Sequence, residues 1–204
     1  MRRISWIVLL GLLAGCTGKP SRIMPPTIDP VQAGKDAISE YDKNGNGRID
    51  GAELDAVPGV KAALNKIDKN SDKQVSADEI TERINAWKES KVGVMSLLCR
   101  VNFDGKPLEG ATITFIPEKF LGTAVKPAKG TSGPGGAAMC TVDDPEFAAK
   151  RISGVQCSFY KVEITGPTNR TLPSKYNTST TLGEEVALDA SWVQSGLVFE
   201  LRSK

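Results

Sequence analysis

Residues 42–53, DKNGNGRIDGAE, constrain this chain more than any other stretch, because they set oxygen-bearing side chains at a fixed spacing within one short loop. Counted from Asp42 as position 1, side-chain oxygens recur at Asp42, Asn44 and Asn46; Gly47 stands at 6, Arg48 offers a backbone carbonyl at 7, Asp50 stands at 9, and Glu53 closes at 12. A hard divalent cation the size of calcium takes about 6–8 oxygens at roughly 2.3–2.6 Å, so a short peptide must wrap on itself and turn alternate side chains inward. Gly47 allows the sharp turn, since a residue without Cβ enters the left-handed region freely. Ile49 at position 8 is apolar in a polar run, placed to pair with another loop across a short strand. Asp50 would reach a cation through a water.

The pattern occurs twice. Residues 68–79, DKNSDKQVSADE, supply Asp68, Asn70, Asp72, the carbonyl of Gln74, a polar Ser76 at position 9 and Glu79 at 12, with Val75 standing where Ile49 stands. One position departs: Lys73 replaces the glycine. A Cβ in the left-handed region costs roughly 1–2 kcal/mol, so the second loop should bind more weakly. Around the loops, Asp29 and Pro30 open a helix predicted over residues 30–41. Pro58 ends the first exiting helix by Val57 and begins another over residues 58–67, with Val60, Ala63, Leu64 and Ile67 at helical spacing. Ser76 and Glu79 form an S-x-x-E box opening a last helix, whose Ile80, Ile84 and Trp87 share a face expected to pack on the helix from Pro30. Both loops resemble those of the EF-hand family, the first at every diagnostic position. The resemblance implies Ca²⁺ as cofactor, with one strong site and a second, weaker one.

The start of the chain reads as a targeting segment over residues 1–15: Arg2 and Arg3, then an apolar run, then Leu13-Ala14-Gly15-Cys16. That ending resembles the bacterial lipobox, which implies cleavage before Cys16, lipid on its sulfur and a membrane anchored through it. Thr17 rather than Asp after the cysteine implies sorting to the outer membrane. A membrane-spanning helix needs about 20 apolar residues, which this run does not supply. Residues 16–28 hold three prolines and no periodicity, as a tether would.

Charge divides along the chain. Residues 29–90 carry 13 acidic and 9 basic groups, net −4, whereas residues 91–204 carry 11 and 13, net +2. No basic stripe with interleaved aromatics marks a nucleic-acid surface. The chain has no histidine, which removes serine triads with an imidazole base, Cys–His pairs and the usual catalytic zinc sites. Asp143, Asp144 and Glu146 cluster around Pro145 as a solvated turn would, without a partner for acid–base work. Cys99, Cys140 and Cys157 allow at most one intramolecular bridge. Cys140 with Cys157 is the expected pair, the other pairings staying open, and Cys99 reads as a small buried hydrophobe on the face of Leu97 and Val101.

From Val92 the spacing changes to alternation with turn punctuation, predicting strands over residues 93–103, 111–116, 137–142, 158–165, 184–188 and 197–201, with Asp104-Gly105-Lys106-Pro107 as a turn. Long loops over residues 117–136 and 166–181 separate them. The segments DGKPLEGATITFIPE, GTSGPGGAAMCTV, FYKVEITGP and KYNT resemble the bacterial relatives of the carboxypeptidase regulatory domain, a noncatalytic transthyretin-like sandwich. The usual central turn is closer to T-D-x-x-G, where this chain has Pro134-Gly135-Gly136.

The expected fold class is therefore α+β and multidomain: an N-terminal α-helical EF-hand pair over residues 29–90 and a C-terminal all-β transthyretin-like sandwich over residues 91–204. The expected function is calcium ion binding by a noncatalytic, lipid-anchored envelope protein. Two alternatives stay open. One is a dockerin-like interaction module, although dockerins generally lack a full entering helix such as residues 30–41. The other is a glycan- or peptide-binding accessory protein that would use Trp192, Tyr160 or Tyr176.

Overall fold

The structure is a computed structural model that describes residues 23–204. The targeting segment and Cys16 lie outside the described residues.

The chain opens with α1 (Pro30–Tyr41), β1 (Arg48–Ile49), a 3-10 segment (Gly51–Ala56), α2 (Pro58–Ala62), α3 (Leu64–Ile67), β2 (Val75–Ser76) and α4 (Ala77–Ser90). Local chemistry sets these boundaries. The Asp29 carboxylate accepts the Val31 and Gln32 amides at the start of α1, where Pro30 costs no hydrogen bond. Ser76 and Glu79 satisfy each other's backbone amides at the start of α4. The helix predicted over residues 58–67 forms as two pieces, divided at Ala63.

Beyond α4 come β3 (Val94–Met95), β4 (Leu97–Phe103), β5 (Lys106–Pro107), β6 (Thr112–Pro117), β7 (Ala128–Thr131), β8 (Ala137–Val142), α5 (Pro145–Ala149), β9 (Val155–Gln156), β10 (Ser158–Thr165), β11 (Gly183–Val186), α6 (Trp192–Ser195) and β12 (Leu197–Leu201). The main sheet runs in the order β11-β10-β6-β7-β8-β4-β12, with β5 attached to β4. Its pairings are antiparallel except β12 on β4, which is parallel. The β4–β5 turn places Asp104 at φ 50° and Gly105 at φ 75°, the double left-handed backbone of a tight hairpin. Along β4 burial alternates, Leu97, Cys99 and Val101 pointing in and Leu98 and Arg100 out.

This architecture corrects the expected fold class. The chain is mostly β, built on one continuous, half-barrel sheet rather than two sheets of a transthyretin-like sandwich, and no independent α-helical EF-hand pair stands before it. Two physical reasons account for the difference. First, β7 lies inside the Gly-, Pro- and Lys-rich stretch read as a loop, and it pairs with β6 on one side and β8 on the other, joining what would have been separate sheets. Second, the helical elements share one buried core with the sheet, running from Ile28 and Ala37 through Val60, Ile80 and Trp87 to Phe159 and Leu201. The segment after the first loop is a six-residue 3-10 turn.

Close approach shows how tightly the two parts join. The Glu118 carboxylate, buried at the end of β6, accepts the Gly59 amide at 2.7 Å. A Cβ on Gly59 would sit 2.6 Å from the Tyr160 amide nitrogen, so only glycine lets α2 lie this near β10. Trp87 packs on Phe159 of β10, ring centroids 4.5 Å apart, and so covers the sheet rather than only α1. Among the described residues, no helix is long and apolar enough to cross a membrane.

Candidate metal centre

The first loop is organised by the carboxylates at its two ends. Asp42, just past α1, accepts the Gly45 amide at 2.7 Å through Oδ1 and the Gly47 amide at 2.7 Å through Oδ2. Glu53 reaches back from the 3-10 segment, its Oε1 accepting the amides of Lys43 at 2.8 Å and Asn44 at 3.0 Å, and its Oε2 that of Asp50 at 3.1 Å. Between them the Asn44 side-chain oxygen accepts the Asn46 amide at 2.9 Å, and the Asn46 oxygen accepts the Arg48 amide at 2.9 Å. The Asn46 Nδ2 donates to Asp50 Oδ2 at 2.8 Å. Gly45 and Gly47 lie at φ 75° and 80°, so the turn predicted at position 6 is made as expected. The Asp50 amide, joined by those of Lys43 and Asn44 and opposed by desolvation, holds the Glu53 carboxyl below the usual range.

The second loop repeats this role by role. Asp68 Oδ2 accepts the Lys73 amide at 2.8 Å, Asn70 accepts that of Asp72 at 2.9 Å, and Asp72 accepts that of Gln74 at 2.9 Å. Glu79 closes onto the amides of Lys69 at 3.1 Å and Ser76 at 2.9 Å. Lys73 lies at φ 62°, the left-handed conformation that the missing glycine would have held without strain. The loops meet back to back through β1 and β2, with Arg48 opposite Ser76 and Ile49 opposite Val75, both apolar residues fully buried.

One contact was not foreseen. The Arg48 guanidinium lies 3.3 Å from the Asp72 carboxylate, placing a positive charge of the first loop beside an oxygen donor of the second. Both side chains are more than a third exposed, so the pair itself adds little stability. Its effect on the second loop is nonetheless the same in sign as the strain at Lys73. Among the described residues, no three Asp, Glu or Cys side chains converge as a metal site built of those groups alone requires. Each loop instead presents carboxylates mixed with amide and carbonyl oxygens, a donor set that fits a hard cation.

One turn beyond Glu79, α4 carries a buried ionic clamp that sequence patterning missed. Arg83 donates through Nε to Glu185 Oε1 at 2.6 Å and through Nη2 to Oε2 at 2.8 Å, the two-pronged geometry natural to guanidinium and carboxylate. It also donates to both oxygens of Asp189, at 2.9 and 2.7 Å. Trp87 adds its indole N–H to Glu185 at 2.8 Å. Burial works against the Arg83 charge, but Asp189 and Glu185 outweigh it and keep the guanidinium protonated. The signal was present, since Arg83 falls on the stripe of Ile80, Ile84 and Trp87. A cation on an apolar face needs a carboxylate across from it.

Elsewhere the carboxylates and aromatics hold structural positions. Asp144 caps α5 through the Glu146 amide and lies 3.8 Å from Lys126. Tyr160, Tyr176 and Trp192 are all buried, so none offers a ring face for a sugar to stack on. Cys140 touches Cys99, Sγ to Sγ 3.2 Å, in place of the expected Cys157, which lines a cavity with Arg83 and Trp87. Comparison with protein-family models, curated proteins and solved structures found no match.

Proposed function

We propose that this chain is a noncatalytic calcium-binding protein of a bacterial envelope, with calcium in a mainly structural role and a lipid anchor on Cys16. The observation that carries the proposal is the doubled loop: twice, an Asp at position 1 and a Glu at position 12 accept backbone amides of their own twelve-residue loop, and the two loops are joined by β1 and β2. In the first loop Asp42, Asn44, Asn46, the Arg48 carbonyl and Glu53 would hold the ion, with Asp50 acting through a water. In the second, Asp68, Asn70, Asp72, the Gln74 carbonyl and Glu79 would do so. Bound calcium supplies a divalent positive centre that draws the two ends of a loop together and offsets the net −4 of residues 29–90.

The chain's own residues set the terms of that binding. Asp42 and Glu53 already hold their loop curled through backbone amides, so little ordering is left for the cation to impose. Glu79 is one of two acids in the first turn of α4, with Asp78, and Arg83 lies one turn along, so an ion gripped by Glu79 would steady the clamp onto β11. At the millimolar calcium found outside cells, sites with dissociation constants of about 10⁻⁴–10⁻³ M fill substantially, which suits a structural ion. The run from Arg2 and Arg3 to Cys16 supports export and lipidation.

Calorimetric titration of calcium chloride into metal-free protein tests the proposal. Two binding events are expected, the weaker of which disappears in Asp68→Ala while the stronger persists. Absence of heat and of retained metal at millimolar calcium would overturn it.

A further inference from the structure

We propose that Cys99 and Cys140 are the site of an intramolecular disulfide that ties β4 to β8 in the middle of the sheet. The inference goes beyond calcium binding and does not depend on it. It starts from register: Cys99 faces Ala138 and Leu97 faces Cys140, so the two cysteines are diagonal neighbours on adjacent antiparallel strands and point to the same buried face. Their sulfurs lie 3.2 Å apart, and a bond of about 2.05 Å asks them to close by roughly 1 Å.

The residues next to the two sulfurs are small. Ala138, directly across from Cys99, carries only a methyl group. On the other side of Cys140 stands Gly130 of β7, where an added Cβ would lie 2.7 Å from the Cys140 sulfur. A larger residue there would crowd the sulfur out of its position. Among the described residues Cys157 has no such partner, and it lines a separate cavity beside Arg83.

The timing of the reaction also follows. In the folded protein both sulfurs are buried out of reach of an oxidant, and the adjacent Cys140 sulfur together with that burial pushes the Cys99 thiol well above its ordinary range. The bond therefore forms before β4 and β8 close over the pair, through a disulfide-bearing oxidant such as oxidised glutathione. One cysteine thiolate attacks the oxidant, making a mixed disulfide and releasing one thiol. The second cysteine thiolate then attacks the protein sulfur of that intermediate, releasing the other thiol. Two electrons pass to the oxidant, and the two protons leave the cysteines and end on the released thiols.

The test uses the full chain carrying Cys16→Ser, denatured and reduced, then refolded in a glutathione redox buffer. The product is unfolded, alkylated and digested with trypsin, which puts Cys99, Cys140 and Cys157 on the separate peptides 92–100, 130–150 and 152–161. The expected product is two hydrogens lighter than the reduced chain, with 92–100 joined to 130–150 and Cys157 alkylated. Alkylation of all three cysteines, or joining of 130–150 to 152–161, would overturn the inference. A second measurement covers a failure to refold: in native, reduced protein the Cys99 and Cys140 thiols should resist alkylation at least tenfold longer than in denaturant. Equal rates in both conditions would also count against the buried pair.

Discussion

Replacing Arg83 by Met should destabilise the protein far more than removal of any exposed charge, and the size of the loss follows from where its partners sit. Arg83 and Glu185 have side chains 6% and 4% exposed, whereas Asp189 is 54% exposed. Met keeps most of the apolar stem of Arg but removes four donated hydrogen bonds. Asp189 turns to water and loses at most about 1 kcal/mol of stabilisation. Glu185 cannot: it stays buried with only the Trp87 indole to face it, the situation in which breaking a buried pair costs about 3–5 kcal/mol. For a chain of this size that is a drop in Tm of about 6–20 °C. Urea denaturation followed by tryptophan fluorescence gives the free energy directly. Asp189→Asn should cost about 1 kcal/mol or less, and pairing Arg83→Met with Glu185→Leu should recover much of the loss, since no buried charge is then left alone. A loss below about 1 kcal/mol for Arg83→Met would refute the reasoning, because it would mean that Glu185 finds water or stays protonated at no cost.

Two further outcomes are expected. Burial pushes the Glu118 carboxyl up to about 7 from an unperturbed 4.5, with the Gly59 amide pulling the other way. A group raised in the folded state stabilises fully below its unfolded value and loses that contribution as pH rises through the folded one. Between about pH 4.5 and 7 the Glu118 contribution should therefore fall by up to about 3 kcal/mol, and urea midpoints for Glu118→Gln should show a shallower decline than wild type; parallel pH profiles would refute it. Lys73→Gly should raise stability by about 1 kcal/mol, because it removes a Cβ from a backbone held at φ 62°; an unchanged urea midpoint would show that the loop carries no strain there.

The elements that were legible in the sequence are those whose signal is local. Asp29 with Pro30, and Ser76 with Glu79, mark the starts of α1 and α4 by hydrogen bonds made within one helical turn, and both helices begin where those residues place them. The apolar alternation predicts strands over residues 93–103 and 158–165; the second forms as β10, whereas the first divides into β3, which pairs with β9, and β4. The loop geometry followed as well, including the left-handed Lys73, because oxygen spacing and backbone turn are set within twelve residues. What the sequence did not disclose depends on partners far along the chain. β7, with Ala-Lys-Gly-Thr, has no strand pattern of its own and exists because β6 and β8 offer edges on both sides. Gly59 reads as a weak helix residue until the Tyr160 backbone is set beside it. Arg83 needs Glu185 from a strand about a hundred residues away, and Cys140 meets Cys99 rather than Cys157 only because of the β4–β8 register.

The parallel pairing of β12 with β4 has a consequence in time. Glu200 lies opposite Asn102, 98 positions later in the chain, so at ribosomal speeds of about 5–20 residues per second β4 waits roughly 5–20 s for that neighbour to be made. Throughout that interval one edge of β4 has unpaired amides and carbonyls, and Cys99, Val101 and Phe103 have no strand beside them on that side. An unpaired strand edge of that kind is what makes a partly made chain prone to aggregate until its closing strand is added.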